Sequence, residues 1–115
     1  MAGPLVHLEL HTGNLPQACA FYAGLLEWRF EQITIGSRSY TAIELGGVVE
    51  GGVIECPADP PRWLPYVEVN DVQRLTARAR ELGAAVLLEP REGPAGWRSV
   101  VADGAGGEIA LWQPK

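Results

Sequence analysis

From Val6 to Leu10 apolar and polar residues alternate, the pattern of a strand with one face buried. Asn14 then offers a helix cap, and Pro16 falls in the first turn, where proline is tolerated. Leu15, Ala18, Cys19, Tyr22, Leu25 and Leu26 recur at helical spacing and predict one apolar stripe. "EWRFEQITIG" and "RSYTAIEL" read as strands joined by a Gly-Ser turn. After "GG", "VVEGGVIEC" reads as a third strand, and "PADPPRW" as a proline-rich connector.

The same order then repeats. "LPYVEV" is a strand and Asp71 a helix cap. Val72, Leu75, Ala79 and Leu82 form a helical stripe that Gly83 stops. "AAVLLEP", "WRSVVAD" and "EIALWQ" are three further strands, separated by the turns "PREGPAG" and "GAGG". The caps Asn14 and Asp71 lie 57 residues apart, as do Leu25 and Leu82. A period of half the chain predicts two copies of one βαβββ module, about 1–57 and 62–115, within a single α+β domain. In each copy a helix covers one sheet face and leaves the other free to line a cavity.

Composition narrows the classes of function. With 115 residues, 47% hydrophobic and 20% charged, the chain suits one folded domain rather than a disordered one. No apolar run approaches the roughly 18 residues that cross a bilayer. "MAGPLVHLEL" lacks the basic start and apolar core of a signal peptide, so a cytoplasmic protein without a membrane partner is expected. The net charge is −5, the one lysine is C-terminal and the arginines are scattered. No nucleic acid partner is expected from that balance. Cys19 and Cys56 form no CxxC and suit small apolar roles in a reducing compartment. "EGGV" and "GAGG" lack the context of a phosphate loop, and both histidines sit on one strand, so no Ser-His-Asp arrangement is present.

Three stretches carry a family resemblance: "HLELHTGNLPQACAFYAGLLEW", "WLPYVEVNDVQRLTARARELGAAVLLEP" and "VVADGAGGEIALWQP". In this order they resemble the vicinal oxygen chelate superfamily, which includes glyoxalase I, extradiol dioxygenases, and fosfomycin- and bleomycin-resistance proteins. The resemblance covers essentially the whole chain. It implies paired βαβββ modules whose eight strands form an open, cup-shaped, barrel-like sheet with the helices outside, often completed in a homodimer.

It also implies four metal-ligand positions. They fall on His7, Glu55, Leu64 and Ala110. Leucine and alanine donate no lone pair, and catalytic zinc normally takes three protein ligands. The expectation is therefore a degenerate site with no metal and no other cofactor, His7 and Glu55 surviving as a polar pair. A divalent ion held with help from other carboxylates is the alternative.

Strand alternation supplies the rest of the cup face. It predicts His7, Glu9 and His11 from the first strand, Leu64, Tyr66 and Glu68 from its repeat, and Glu108, Ala110 and Trp112 from the last strand. Tyr40, Glu44, Trp63 and Trp97 are further candidates, and Glu55 joins as the partner of His7. An aromatic, acidic face suits a flat aromatic or cationic molecule. The expected function is a binding protein that sequesters such a molecule, an antibiotic for example, as bleomycin-resistance members do. The alternative is a glyoxalase- or dioxygenase-like enzyme, a lyase or isomerase, that uses a metal or His7 as acid or base beside Glu55. A subunit of a larger assembly with no ligand of its own is a third possibility.

Overall fold

The computed structural model describes residues 3–47, 49–58 and 60–115. Eight strands and two helices follow the predicted order: β1 (Leu5–Thr12), α1 (Leu15–Leu26), β2 (Arg29–Ile35), β3 (Arg38–Glu44), β4 (Glu50–Glu55), β5 (Arg62–Glu68), α2 (Val72–Glu81), β6 (Ala85–Glu92), β7 (Gly96–Ala102) and β8 (Glu108–Pro114). The fold is α+β. The predicted third strand starts later than "VVEGG" suggests, and its first position, Val48, lies outside the described residues, as does Asp59 of the connector.

The chain divides into two compact units. The first is His7–Leu64; the second is Pro65–Lys115 together with the residues up to Val6. In the second unit the amide of Glu68 donates to the carbonyl of Pro4 at 2.9 Å. The first few residues therefore belong with the second unit, not with the module they precede in sequence.

Each unit has the same internal plan. In the first the strand order is β2-β3-β4-β1, with β1 parallel to β4 and the other pairs antiparallel. In the second it is β6-β7-β8-β5, with β5 parallel to β8.

The helices start where the sequence says they should. Asn14 Oδ1 accepts from the amide of Gln17, and Asp71 Oδ1 from the amide of Arg74, both at 3.1 Å. A second acceptor arrives from the last strand of each unit. The Leu15 amide donates to Glu55 Oε2, and the Val72 amide to Gln113 Oε1, both at 2.9 Å. Two of the unpaired amides that open each helix are thus satisfied.

The cores lie between each helix and its sheet. In the first unit Leu10, Ile43 and Val53 are buried, and Leu15, Ala18, Tyr22, Trp28 and Trp63 pack against them. Tyr22 stacks on Trp28, with ring centroids 5.7 Å apart, and Trp63 Nε1 donates to the Tyr22 hydroxyl at 3.3 Å. In the second unit Val72 and Thr76 of α2 are buried, as are Ser99 and Val101 of β7. Thr76 Oγ1 donates to the carbonyl of Val72 at 2.6 Å and takes the Ser99 hydroxyl at 2.7 Å. The buried pair is therefore satisfied.

Candidate binding face of the first unit

The register of β1 to β4 fixes which side chains share the face away from α1. Leu10 pairs with Val53, and Val53 with Thr41, so the buried positions define the helix side. His7, Glu9 and His11 take the other side. So do Glu50, Gly52 and Ile54 of β4, because His7 pairs with Glu50, Glu9 with Gly52 and His11 with Ile54. Ala42 pairs with Gly52 and with Glu31, which places Tyr40, Glu44, Arg29 and Ile33 on this face as well.

Glu9 is the centre of the polar group. It is only 8% exposed, yet it carries a carboxylate. His11 Nε2–H donates to Glu9 Oε1 at 2.6 Å, and His7 Nε2 stands 3.4 Å from Glu9 Oε2. When Glu9 is ionised its carboxylate only accepts, and the bond then takes a His11 tautomer with the proton on Nε2. A buried carboxylate needs such partners, since burial without them costs several kcal/mol, on the order of 3 or more. Gly52 makes room for the arrangement: a Cβ there would lie 3.4 Å from His7 Cε1.

Beside this group opens a cavity of about 830 Å³, whose lining includes His7, Arg29, Glu31, Ile33, Tyr40 and Glu50. Glu44 joins the wall. Among the described lining residues, three glutamates stand against one arginine, a balance that favours a cation. Tyr40, 44% exposed, offers an aromatic surface.

The second unit's equivalent face has different chemistry. Tyr66 pairs with Ala110 and Glu68 with Trp112, while Arg98 pairs with Trp112. Arg98 Nη1 donates to the Tyr66 hydroxyl at 3.1 Å. Glu108 shares this face through the alternation of β8. Tyr66 and Ala110 are buried, as is Leu64 of the first unit.

Three residues expected on a binding face lie on the helix side instead. Glu55 alternates with Ile54 and caps α1 through the Leu15 amide, so the structure does not bring it to His7. Trp63 belongs to the aromatic core with Tyr22 and Trp28. Trp97 pairs with Gln113, the α2 capping residue, and carries Lys115 Nζ 5.7 Å from its ring centroid. The cause is the strand period of two, by which one step along the chain exchanges the faces. Glu50, Glu31, Ile33 and Arg29 were missed. Alternation along β2 and the first residue of β4 carry that signal, but only the pairing register aligns them with His7.

Of the four implied metal positions, Leu64 and Ala110 carry no donor atom, and within the first unit Glu55 lies on the helix side, away from His7. By register the counterpart of Ala110 is Gly52, since each pairs with the matching residue of the preceding strand, Val100 and Ala42. Both units therefore lack a carboxylate there. Within the first unit His11 Nε2 bonds Glu9 Oε1 at 2.6 Å, and His7 Nε2 stands 3.4 Å from Glu9 Oε2. Among the described residues no metal-holding group of three His, Cys, Asp or Glu is formed. The residues present do not fit the implied ion. Cys19 lies on α1, and burial pushes its thiol up from its ordinary value, away from the reactive thiolate.

A repeated βαβββ fold with a helix-free polar face in each half defines a class of small domains, and comparison with known proteins agrees. The glyoxalase-like domain model matches residues 6–112, and the chain belongs to that family. CFP32, a candidate glyoxylase of Mycobacterium tuberculosis, is 26% identical over 114 residues, which cover 92% of this chain and 44% of that protein. The anthracycline biosynthesis protein DauV of a Streptomyces species is 24% identical over 123 residues, covering 91% of this chain and 45% of its own. The chain thus spans a little under half the length of these curated relatives.

Solved structures share the fold at low identity. A hypothetical protein of Bacillus halodurans superposes with a TM-score of 0.71 at 13% identity, covering 100% of this chain and 96% of that one. Methylmalonyl-CoA epimerase of Streptomyces coelicolor superposes with a TM-score of 0.68 at 15% identity, covering 99% of each chain. No helix among the described residues is long and apolar enough to cross a membrane.

Proposed function

We propose that the first unit's free face binds a small, flat organic cation, and that the protein sequesters such a molecule, an antibiotic or a related natural product. The observation that carries this reading is the nearly buried Glu9 carboxylate held between two imidazoles at the edge of an acidic, Tyr40-bearing cavity. Its volume of about 830 Å³ suits a drug-sized molecule. The name of the Streptomyces relative, an anthracycline biosynthesis protein, points to the same class of flat polycyclic molecule. Calorimetric titration with an amine-bearing anthracycline, and with its sugar-free aglycone, tests the idea. Saturable binding of the amine form, weaker for the aglycone, is expected. No saturable heat with either would overturn it.

A second reading is favoured by the same short bond. An imidazole whose proton is fixed by a carboxylate is the usual partner in proton transfer to or from carbon. The epimerases that share the fold act, by their name, on methylmalonyl-CoA. Solvent deuterium entering that thioester in the presence of the protein, and lost in His11→Ala, would support an enzyme. No exchange above the buffer rate would remove this reading.

A further inference from the structure

In the second unit a break in strand register sets two arginines side by side. β6 and β7 begin their pairing with Ala85 opposite Ala102 and Val86 opposite Val101. Carried on unbroken, that register brings Glu89 opposite Arg98, an acid against a base. Two register shifts intervene, between Val86 and Leu88 and between Leu88 and Arg91, and Arg91 comes opposite Arg98 instead. Glu89 is turned to the helix, where Arg80 Nη2 donates to its carboxylate. Bulges re-aim side chains in this way and are common beside functional sites.

Arg98 faces away from α2, because its neighbour Ser99 meets Thr76 of that helix. Trp112 lies opposite Arg98 on the other flank, and Glu68 lies opposite Trp112. Arg91, Arg98, Trp112 and Glu68 therefore form one row across the free face. The Tyr66 hydroxyl accepts from Arg98 Nη1 at 3.1 Å and holds that guanidinium in place. A neutral hydroxyl leaves its charge uncompensated. The nearby acids of β6 are engaged elsewhere, Glu89 with Arg80 and Glu92 with Lys115 at 2.9 Å. Among the described residues no carboxylate pairs with Arg91 or Arg98. Like charges directly opposite in a sheet are destabilising, and a bound anion removes that repulsion.

We propose that Arg91 and Arg98 form an anion site on the free face of the second unit, and that its ligand is a small aromatic carboxylate. Guanidinium forks match the two oxygens of a carboxylate. Trp112, half-buried and directly beside Arg98, offers a flat apolar surface for the ring. Glu68 stands two strand spacings from Arg98, roughly 10 Å, and disfavours a more highly charged anion such as phosphate. The site uses residues of the second unit alone, so it stands or falls apart from the cation face of the first.

Equilibrium dialysis of 2-naphthoate against the protein in low-salt buffer tests this. Saturable binding is expected, with acetate and inorganic phosphate at least about tenfold weaker as competitors. Arg98→Gln should weaken naphthoate binding at least about tenfold. Arg91→Gln, at an exposed position that leaves the contact between Arg98 and Tyr66 in place, should weaken it at least about threefold. Arg74→Gln removes the same charge from the exposed surface of α2 and should bind as the wild type does. Absence of saturable binding by the wild type would overturn the proposal. So would wild-type affinity in both Arg91→Gln and Arg98→Gln, an equal loss in Arg74→Gln, or tighter binding of acetate or phosphate than of naphthoate.

Discussion

The two units agree on their helix sides and differ on their free faces. Both helices open on an Asx cap, and both take a second acceptor from the last strand of their own unit, Glu55 in one and Gln113 in the other. Opposite those helices the first unit carries His7, Glu9 and His11 on β1, whereas the second carries Tyr66 and Glu68 on β5 beside Ala110 and Trp112. What repeats is what holds a unit together; what does not repeat is the chemistry. Glu55 shows why the distinction matters. Taken by residue type it is a catalytic or ligand-binding carboxylate. Taken by its counterpart Gln113, it is a hydrogen-bond acceptor for a helix end.

Four substitutions break or sharpen that comparison. The largest effect is expected in the first unit's core. Leu10→Ala, at a position 3% exposed, should cost about 2–5 kcal/mol of unfolding free energy, read from chemical denaturation. In the second unit Thr76→Val strips the Ser99 hydroxyl of its partner, and should cost roughly 1–3 kcal/mol in the same experiment. Glu55→Ala and Gln113→Ala should each cost about 0.5–2 kcal/mol, equal within error, if the two caps are equivalent. A loss confined to one of them would break the symmetry.

The helix ends differ in a way that a further change exposes. α1 closes on Glu27 in the left-handed region, φ 57°, whereas past α2 that region is taken by Gly83, φ 94°. Glu27→Gly should stabilise by up to about 1 kcal/mol, seen as a raised denaturation midpoint. A loss of stability would show that Glu27 contributes contacts that outweigh its strain.

The smallest effect concerns acid. Amide hydrogen bonds, from Gly107 first and then Ala105, hold the Asp103 carboxyl below the usual carboxylate range. Its folded value lies below its unfolded one. The stability it adds is therefore fully present above the unfolded pKa, near 4, and lost as pH falls through the folded value. Asp103→Asn should flatten the acid limb of the stability–pH curve there, lowering stability at neutral pH and leaving strongly acid pH less affected.

Much of the fold was legible in the sequence. Asn14 and Asp71 marked both helices, the 57-residue spacing marked the repeat, and alternation in "VHLELH" put His7, Glu9 and His11 on one face. The unit boundary was less so, because Pro4 bonds Glu68 far along the chain. The site was legible only in part. Alternation says which residues share a face within one strand, but pairing decides which strands align. Glu50 comes opposite His7 through a parallel pairing that no local pattern encodes. The spacing also shifts from 57 to 58 between the first and last strands of the repeat, since Leu10 matches Val67 but Val53 matches Leu111. Glu55, placed on the cup by the family resemblance, stands one step past Ile54 in β4 and so faces the helix.

The central claim is that Glu9, and not Glu55, is the carboxylate of the binding face. Titration of an amine-bearing anthracycline into the wild type, Glu9→Gln and Glu55→Gln tests it most directly. The account predicts affinity at least about tenfold weaker for Glu9→Gln, roughly 1.4 kcal/mol, and unchanged for Glu55→Gln. Binding lost with Glu55→Gln and kept with Glu9→Gln would contradict it.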